Sequence, residues 1–365
     1  MENVALTVSG SILIYRIYDV AWDIDLGKVE ERVRESRRQS IDRKRFSKAF
    51  EFANPPLSLR LKAFEKSLHG KQCTINAYAK VYDYGVLSII YEIPVRDIGI
   101  KDFECLASNV EESFREDFRM ELGRLVSDLG DALHQVNQGR IEEDYTIYYL
   151  RQLSPEKTAR ELLQICDIGS LLLYEEGEIP PSRTTKDELL SFSFSYSDRD
   201  LVVLSWDKAF VLEPGGSMDI PDLLEFANAQ LLELRVYDDM VDRELDSINE
   251  SIVAEVSPSI WKIKRYEKLA TRAMRTVMDL TGITEKIDNS LKVTEDVYYA
   301  RVYMSALSLF KVQQWEKSID RKINIASRVY DMLYREIANK RTELLEVIIV
   351  ILIAIEILLF LIVKL

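Results

Sequence analysis

Histidine and cysteine are nearly missing from this chain of 365 residues. Its two histidines, His69 and His134, lie 65 residues apart, and Cys73, Cys105 and Cys166 form no Cys-x-x-Cys pair. This scarcity excludes a disulfide framework and a cysteine-built zinc site, so buried structural thiols are expected and no cofactor is implied. Basic charge is also short. Lys and Arg number 48 against 61 Asp and Glu, for a net charge of −13. Non-specific nucleic-acid binding by the whole protein is therefore disfavoured, while a local basic face stays open. There is no phosphate loop, dinucleotide fingerprint, nucleophile elbow or His-Glu-x-x-His. Helix breakers vanish towards the end: Ser259 to Leu365 holds no proline and one glycine, Gly282.

What is present is strongest at that end. Leu344 to Leu365 reads LLEVIIVILIAIEILLFLIVKL. Glu356 is the one ionisable residue between Val347 and Val363. As a helix, Leu344 to Val363 spans about 30 Å, the thickness of a bilayer's hydrocarbon core. The run is apolar on every face, which sets it apart from an amphipathic soluble helix. A single C-terminal membrane anchor over 344–365 is expected. The opening MENVALTVSGSILIYRIYDVAWDIDL begins with an acid and alternates apolar with polar, unlike a signal or transit peptide. Arg335, Lys340 and Arg341 precede the apolar run and only Lys364 follows it. The positive-inside rule then puts the bulk of the chain in the cytoplasm, at an inner membrane.

The remainder divides by character. Residues 1–215 alternate strand and helix patterns and predict an α+β or α/β domain. Apolar alternation around Ile12, Ile14 and Ile17 predicts an opening strand. VYDYGVLSIIYEIPV (81–95) predicts a strand central in a sheet, and EDYTIYYLRQL (143–153) another. Phe114, Phe118, Leu122 and Leu125 predict a helix over 102–138. Ser154-Pro155 looks like a helix start, and Ile168–Tyr174 like a short strand. Phe192 to Trp206 predicts a hairpin turning at Asp198-Arg199-Asp200.

Residues 216–343 predict long helices folded back on one another. Ala227, Leu231, Leu234, Val241, Leu245, Ile248, Ile252 and Val256 fall on a 4,3 seam with Asp238 as its polar member, the pattern of a coiled coil. Ser257-Pro258 marks a second helix start. Ile319, Ile323, Ala326, Tyr330, Leu333 and Ile337 continue the pattern towards the anchor after a break within 282–315.

Candidate binding groups are few. The stretch RVRESRRQSIDRKRFSK (32–48) presents Arg34, Arg37, Arg38, Arg43, Lys44 and Arg45 to phosphate, RNA or anionic lipid; an ordinary solvated helix face is the plainer alternative. Asp238, Asp239, Asp242 and Glu244 resemble a metal cluster, but no histidine accompanies them and a salt-bridged face accounts for them as well. An enzyme reading, a membrane-tethered metal-dependent hydrolase or nuclease, needs Asp83 or Glu92 to converge with Asp238 or Asp242. Glu356 costs about 2.5–3.5 kcal/mol to bury in a bilayer and is expected to pair with a second anchor. Asp238, Leu245, Ile252 and Glu356 are thus the candidate oligomerisation residues. The expected partners are further copies of the chain, membrane lipid and a protein or RNA.

Three stretches resemble the required-for-meiotic-nuclear-division (RMD/YagE-like) family: VYDYGVLSIIYEI (81–93), LLELRVYDDMVDREL (231–245) and the terminal KRTELLEVIIVILIAIEILL (340–359). The resemblance implies an α/β domain, a helical C-terminal part and one span. Mitochondrial members are inner-membrane homo-oligomers that support mitochondrial translation, and no enzymatic activity is implied. Leu345-Glu346-Val347 lacks the aromatic residue common before the family's span. Without a recognisable transit peptide, the mitochondrial role does not carry over, and a prokaryotic cytoplasmic-membrane protein is expected.

Overall fold

The computed structural model describes residues 6–35, 40–41, 50–52, 54–108, 110–137, 141–173, 179–253, 264, 266–275, 277–278, 291–293 and 296–364. Arg37, Arg38, Arg43, Lys44, Arg45, Val256 and the Ser257-Pro258 pair lie outside them, as do the side chains of Arg34 and Ile252. The chain divides into two compact units. One is Met1–Arg235 with Ile287–Gln313, and the other Val236–Lys286 with Gln314–Leu365.

The first unit is built on a ten-stranded sheet. Its centre is β1 (Thr7–Asp19), which is buried on both faces from Ser11 onward. A strand covered on both sides must be apolar in both registers, as this one is. β1 lies antiparallel to β8 (Val86–Gly99) and β10 (Glu142–Ser154). Beyond β8 come β7 (Lys71–Val81), β5 (Leu57–Arg60) and β3 (Ser40–Ile41), with β6 (Phe64–Leu68) also paired to β7. Beyond β10 come β13 (Lys208–Leu212), β12 (Leu201–Leu204) and β11 (Ser193–Phe194). Only the β10–β13 pair is parallel among the pairs of this sheet. The strands expected at 143–153 and in the 192–206 hairpin are present. The expected strand at 81–95 is the end of β7, a tight turn and β8, which is interior to the sheet as anticipated.

That turn explains Gly85. Its φ is +99°, and a Cβ there would lie 1.8 Å from the Ala21 carbonyl oxygen. Ala21 itself begins β2 (Ala21–Ile24), which pairs with β9 (Leu133–Val136).

One face of the sheet is covered by α1 (Leu26–Glu35), α2 (Ile100–Ala107) and α3 (Arg115–Leu129). Ile12, Ile14 and Tyr91 join one core with Phe103, Phe114, Phe118 and Leu125. Tyr91 stacks on Phe118 at 4.1 Å. A strand's side chains alternate, so Leu13, Tyr15 and Ile17 face the other way. On that face lies the first half of α7 (Asp219–Val253), whose residues Leu223 to Leu234 are all buried. α9 (Val297–Leu309) joins it there, with the Tyr303 hydroxyl donating to Gln230 at 2.7 Å.

Three local expectations are corrected. Residues 102–138 are not one helix: the chain breaks at Ser108 and again at Gly130, and ends in β9. The helix after Pro155 starts later, at α4 (Ala159–Ile165), where Thr158 and Glu161 form a reciprocal capping box. Ile168–Leu173 is a helix, α5, and α6 (Arg183–Leu190) follows it. A short apolar run is compatible with either structure, and the backbone of Ser170 hydrogen-bonded to Asp167 favours the helix here.

The second unit is helical. It contains the remainder of α7, a helix over 266–275 (α8) and α10 (Val312–Lys364). Within the break anticipated in 282–315, the described residues hold a short strand (Leu291–Val293), α9 and a turn at Lys311 with φ +56°. Leu269 and Ala270 of α8 pack on Leu333 and Ile337 of α10. Ile319, Ala326, Leu333 and Ile337 are buried, so the 4,3 pattern marks the packed face. The chain is thus a mixed α+β domain with a large sheet, followed by helices, the last of them long and apolar at its end.

Replacing Gly85 by Ala forces an L side chain into the left-handed region and against a carbonyl. Strain of that kind costs about 1–3 kcal/mol before the clash is counted. The midpoint of denaturant unfolding should fall accordingly, and an unchanged midpoint would contradict the turn described.

Candidate functional site

Two clusters of charge stand out, one in each unit. In the second unit Lys322 of α10 bridges two carboxylates of α7, Asp238 Oδ1 and Asp242 Oδ2, each at 2.7 Å. The Ser318 hydroxyl also donates to Asp238, at 2.9 Å. Burial pulls the Lys322 ammonium down, but the two carboxylates outweigh it and its pKa is raised. Glu244 pairs with Arg272 of α8, and Glu267 with Arg341 of α10. Asp238 therefore takes its partner from within the chain. Of the seam residues in this unit, Val241 and Ile248 are buried and Leu245 is half-buried.

α10 continues without interruption into the apolar run. Its most apolar eighteen residues are wholly exposed, and the helix is long and apolar enough to cross a membrane. Glu356 lies on this exposed stretch.

The first unit holds a cluster that sequence reading missed. Lys80 of β7 points into the face covered by α7, where its ammonium meets Asp222 Oδ1 at 2.7 Å and Glu225 Oε2 at 2.6 Å. All three side chains are nearly or fully buried. Burial alone would lower the lysine pKa, yet the two carboxylates raise it. Ser58 and Ser88 stand directly beside Lys80 on the flanking strands, and their hydroxyls have no hydrogen-bond partner among the described residues. Tyr82 and Tyr84 lie nearby, and burial first and then the surrounding carboxylates push both phenols well up. A signal was available: Lys80 interrupts an apolar strand end, and Asp222, Glu225 and Glu233 sit, with Asn228 and Gln230, on a helix stretch that is otherwise apolar.

The carboxylates nominated for catalysis have partners of their own. Asp83 accepts from Asn54 at 2.8 Å, and Glu92 from Ser11 at 2.9 Å and Asn76 at 3.3 Å. Asp238 and Asp242 share Lys322.

Comparison with known proteins gives the family. The family described as "Uncharacterized protein MJ0711, N-terminal domain" matches residues 9–220, which covers the sheet, its flanking helices and the start of α7. The chain belongs to this family. A relative, "Uncharacterized protein MJ0711" of Methanocaldococcus jannaschii, is 28% identical over 271 residues, covering 72% of this chain and 81% of that protein. No solved structure matches. The family match overturns the resemblance to the required-for-meiotic-nuclear-division family. The three stretches behind that resemblance encode an interior strand with its turn, an amphipathic helix and an apolar helix. Many unrelated folds need the same patterns for the same physical reasons.

Removing Lys80 as Lys80→Met takes away the buried ammonium that Asp222 and Glu225 share. Breaking a buried pair in this way costs about 3–5 kcal/mol at neutral pH. In the wild type the raised Lys80 pKa contributes stability at neutral pH and loses it only above the ordinary lysine range. Unfolding curves of both proteins across this window check the sign.

Proposed function

We propose that the protein is a membrane-anchored, self-assembling scaffold. Its helical part forms an antiparallel bundle with coiled-coil contacts, and its α+β domain presents a surface to a protein or RNA partner from the cytoplasmic side of an inner membrane. The observation that carries this reading is α10. A single helix leaves the packed face at Ile337, passes through a charged stretch and runs on from Val347 to Ile362 with none of its apolar residues buried. An exposed apolar surface of that length demands lipid or apolar partners.

Glu356 supports self-association. Alone in the span it costs about 2.5–3.5 kcal/mol, and a hydrogen bond to the same residue of a second copy offsets part of that. Leu245, only half-buried within the chain, and Ile252 are the residues offered for contact between copies, with Asp238 setting the register through Lys322. Arg34, Arg37, Arg38, Arg43, Lys44 and Arg45 supply the anion-binding surface for RNA or anionic headgroups. No cofactor enters this role.

Two measurements test the proposal. In mild detergent the full chain should have a mass that is a multiple of 42.3 kDa, and Glu356→Leu should shift it towards the single chain. A wild type that is monomeric, or a variant that keeps its size, contradicts self-assembly through the anchor. Reversing charge at Arg37, Arg38, Arg43 and Lys44 together should abolish retention on RNA or on vesicles rich in anionic lipid. Unchanged retention removes the basic stretch from the account.

A further inference from the structure

A cavity of about 270 Å³ opens between α2, α5, β10 and β13 in the first unit. Its wall is apolar at Ala107 and Leu171 and polar at Glu104, Tyr148, Asp167 and Lys208. At one side the Lys208 side chain is only 6% exposed, with Glu111 at 3.4 Å and Asp207 at 3.7 Å. At the other, Asp167 is held by Lys186 at 2.5 Å and by the backbone N–H and hydroxyl of Ser170, each at 2.9 Å. Both lysines are therefore matched by carboxylates.

Glu104 is not. Its carboxylate accepts no hydrogen bond and makes no ion pair among the described residues, although it lines the cavity. Burial raises its pKa first, and the charge of Asp167 adds to this against a smaller pull from Lys101. A second oxygen is stranded close by: Glu111 Oε2 is buried without a hydrogen-bond partner. Glu104 and Asp167 line the cavity with Lys208, and Glu111 and Asp207 stand behind that lysine; against Lys208, Lys186 and Lys101 these four carboxylates leave one negative charge in excess, in a partly enclosed space where Coulomb attraction is strengthened. The local field favours a cation. The apolar wall and the volume favour an organic one, because a water's share of liquid volume is about 30 Å³ and the cavity holds several such volumes. A bare metal ion is less suited, since no three His, Cys, Asp or Glu side chains converge on a metal position among the described residues.

We propose that this cavity binds a small organic ammonium compound, a primary amine or diamine, with Glu104 as its principal counter-charge and Leu171 against its carbon chain. The site belongs to the α+β domain and is independent of membrane anchoring or self-assembly. Titration calorimetry of the full chain in detergent with putrescine, against Mg²⁺ and glutamate as controls, tests it. Putrescine should bind saturably, and Glu104→Gln should weaken it at least tenfold. Leu171→Trp, which fills the cavity, should do the same while both variants keep the wild-type melting profile. Wild-type affinity should also fall as the pH is lowered through the Glu104 titration, because the protonated acid loses its charge. The proposal is overturned if wild type binds no putrescine, or if Mg²⁺ or glutamate binds as well as the amine. It also fails if the affinity is the same in Glu104→Gln. Should Leu171→Trp misfold, Leu171→Met supplies the milder filling, and an unaltered affinity there together with an unaltered Glu104→Gln affinity contradicts the assignment.

Discussion

The contact of Lys80 with Asp222 and Glu225 is the constraint on which the first unit depends. α7 brings acidic side chains into a face of the sheet where water is excluded, and an unpaired carboxylate there is costly. Lys80 meets two of them from the strand below, and Ser58 and Ser88 complete a polar row across three strands. The pairing fixes which face of α7 lies on the sheet and where along it. The rest of that face then packs with aliphatic and aromatic side chains, Leu223, Leu224, Ala227 and Phe226 among them. A buried pair of this kind adds little net stability over an apolar replacement, so its contribution is better understood as register than as strength.

Where the sequence carried one dominant pattern, the fold was legible. β1 is strongly apolar, β10 is rich in aromatic and β-branched residues, and α7 after Pro221 and α10 hold helical periodicity over tens of residues without a breaker. β5, β6 and β7 were not read as separate strands because Phe64–Leu68 and Lys71–Val81 intersperse apolar with charged and polar residues and carry no continuous apolar run. α5 was mistaken because six apolar residues fit a strand as readily as a helix. The seam drawn through Ala227, Leu231 and Leu234 singles out no face, because these positions belong to a stretch buried on every side. Periodicity identifies the helix and not what covers it.

The sites were less legible than the fold. The groups around the cavity beside α2 are spread from Glu104 to Lys208 and are brought together by the fold, the parallel pairing of β13 with β10 included. The Lys80 cluster joins residues more than 140 positions apart. Asp238 was conspicuous within its seam, but its neighbour on α10 could not be read from spacing. The family resemblance failed for the opposite reason. Its stretches were easy to see, and physical necessity makes such stretches common.

Everything beyond the α+β domain turns on the last part of α10. Residues 347–362, Glu356 apart, are apolar and exposed on a helix that is already fixed upstream by Lys322 and by the packing of Leu333 and Ile337. Alkaline carbonate extraction of membranes from cells making the full chain asks the question directly. An integral span predicts that the protein stays with the sedimented bilayer after extraction. Recovery of the full chain in the supernatant would contradict a spanning helix and leave the apolar run to be covered by protein instead.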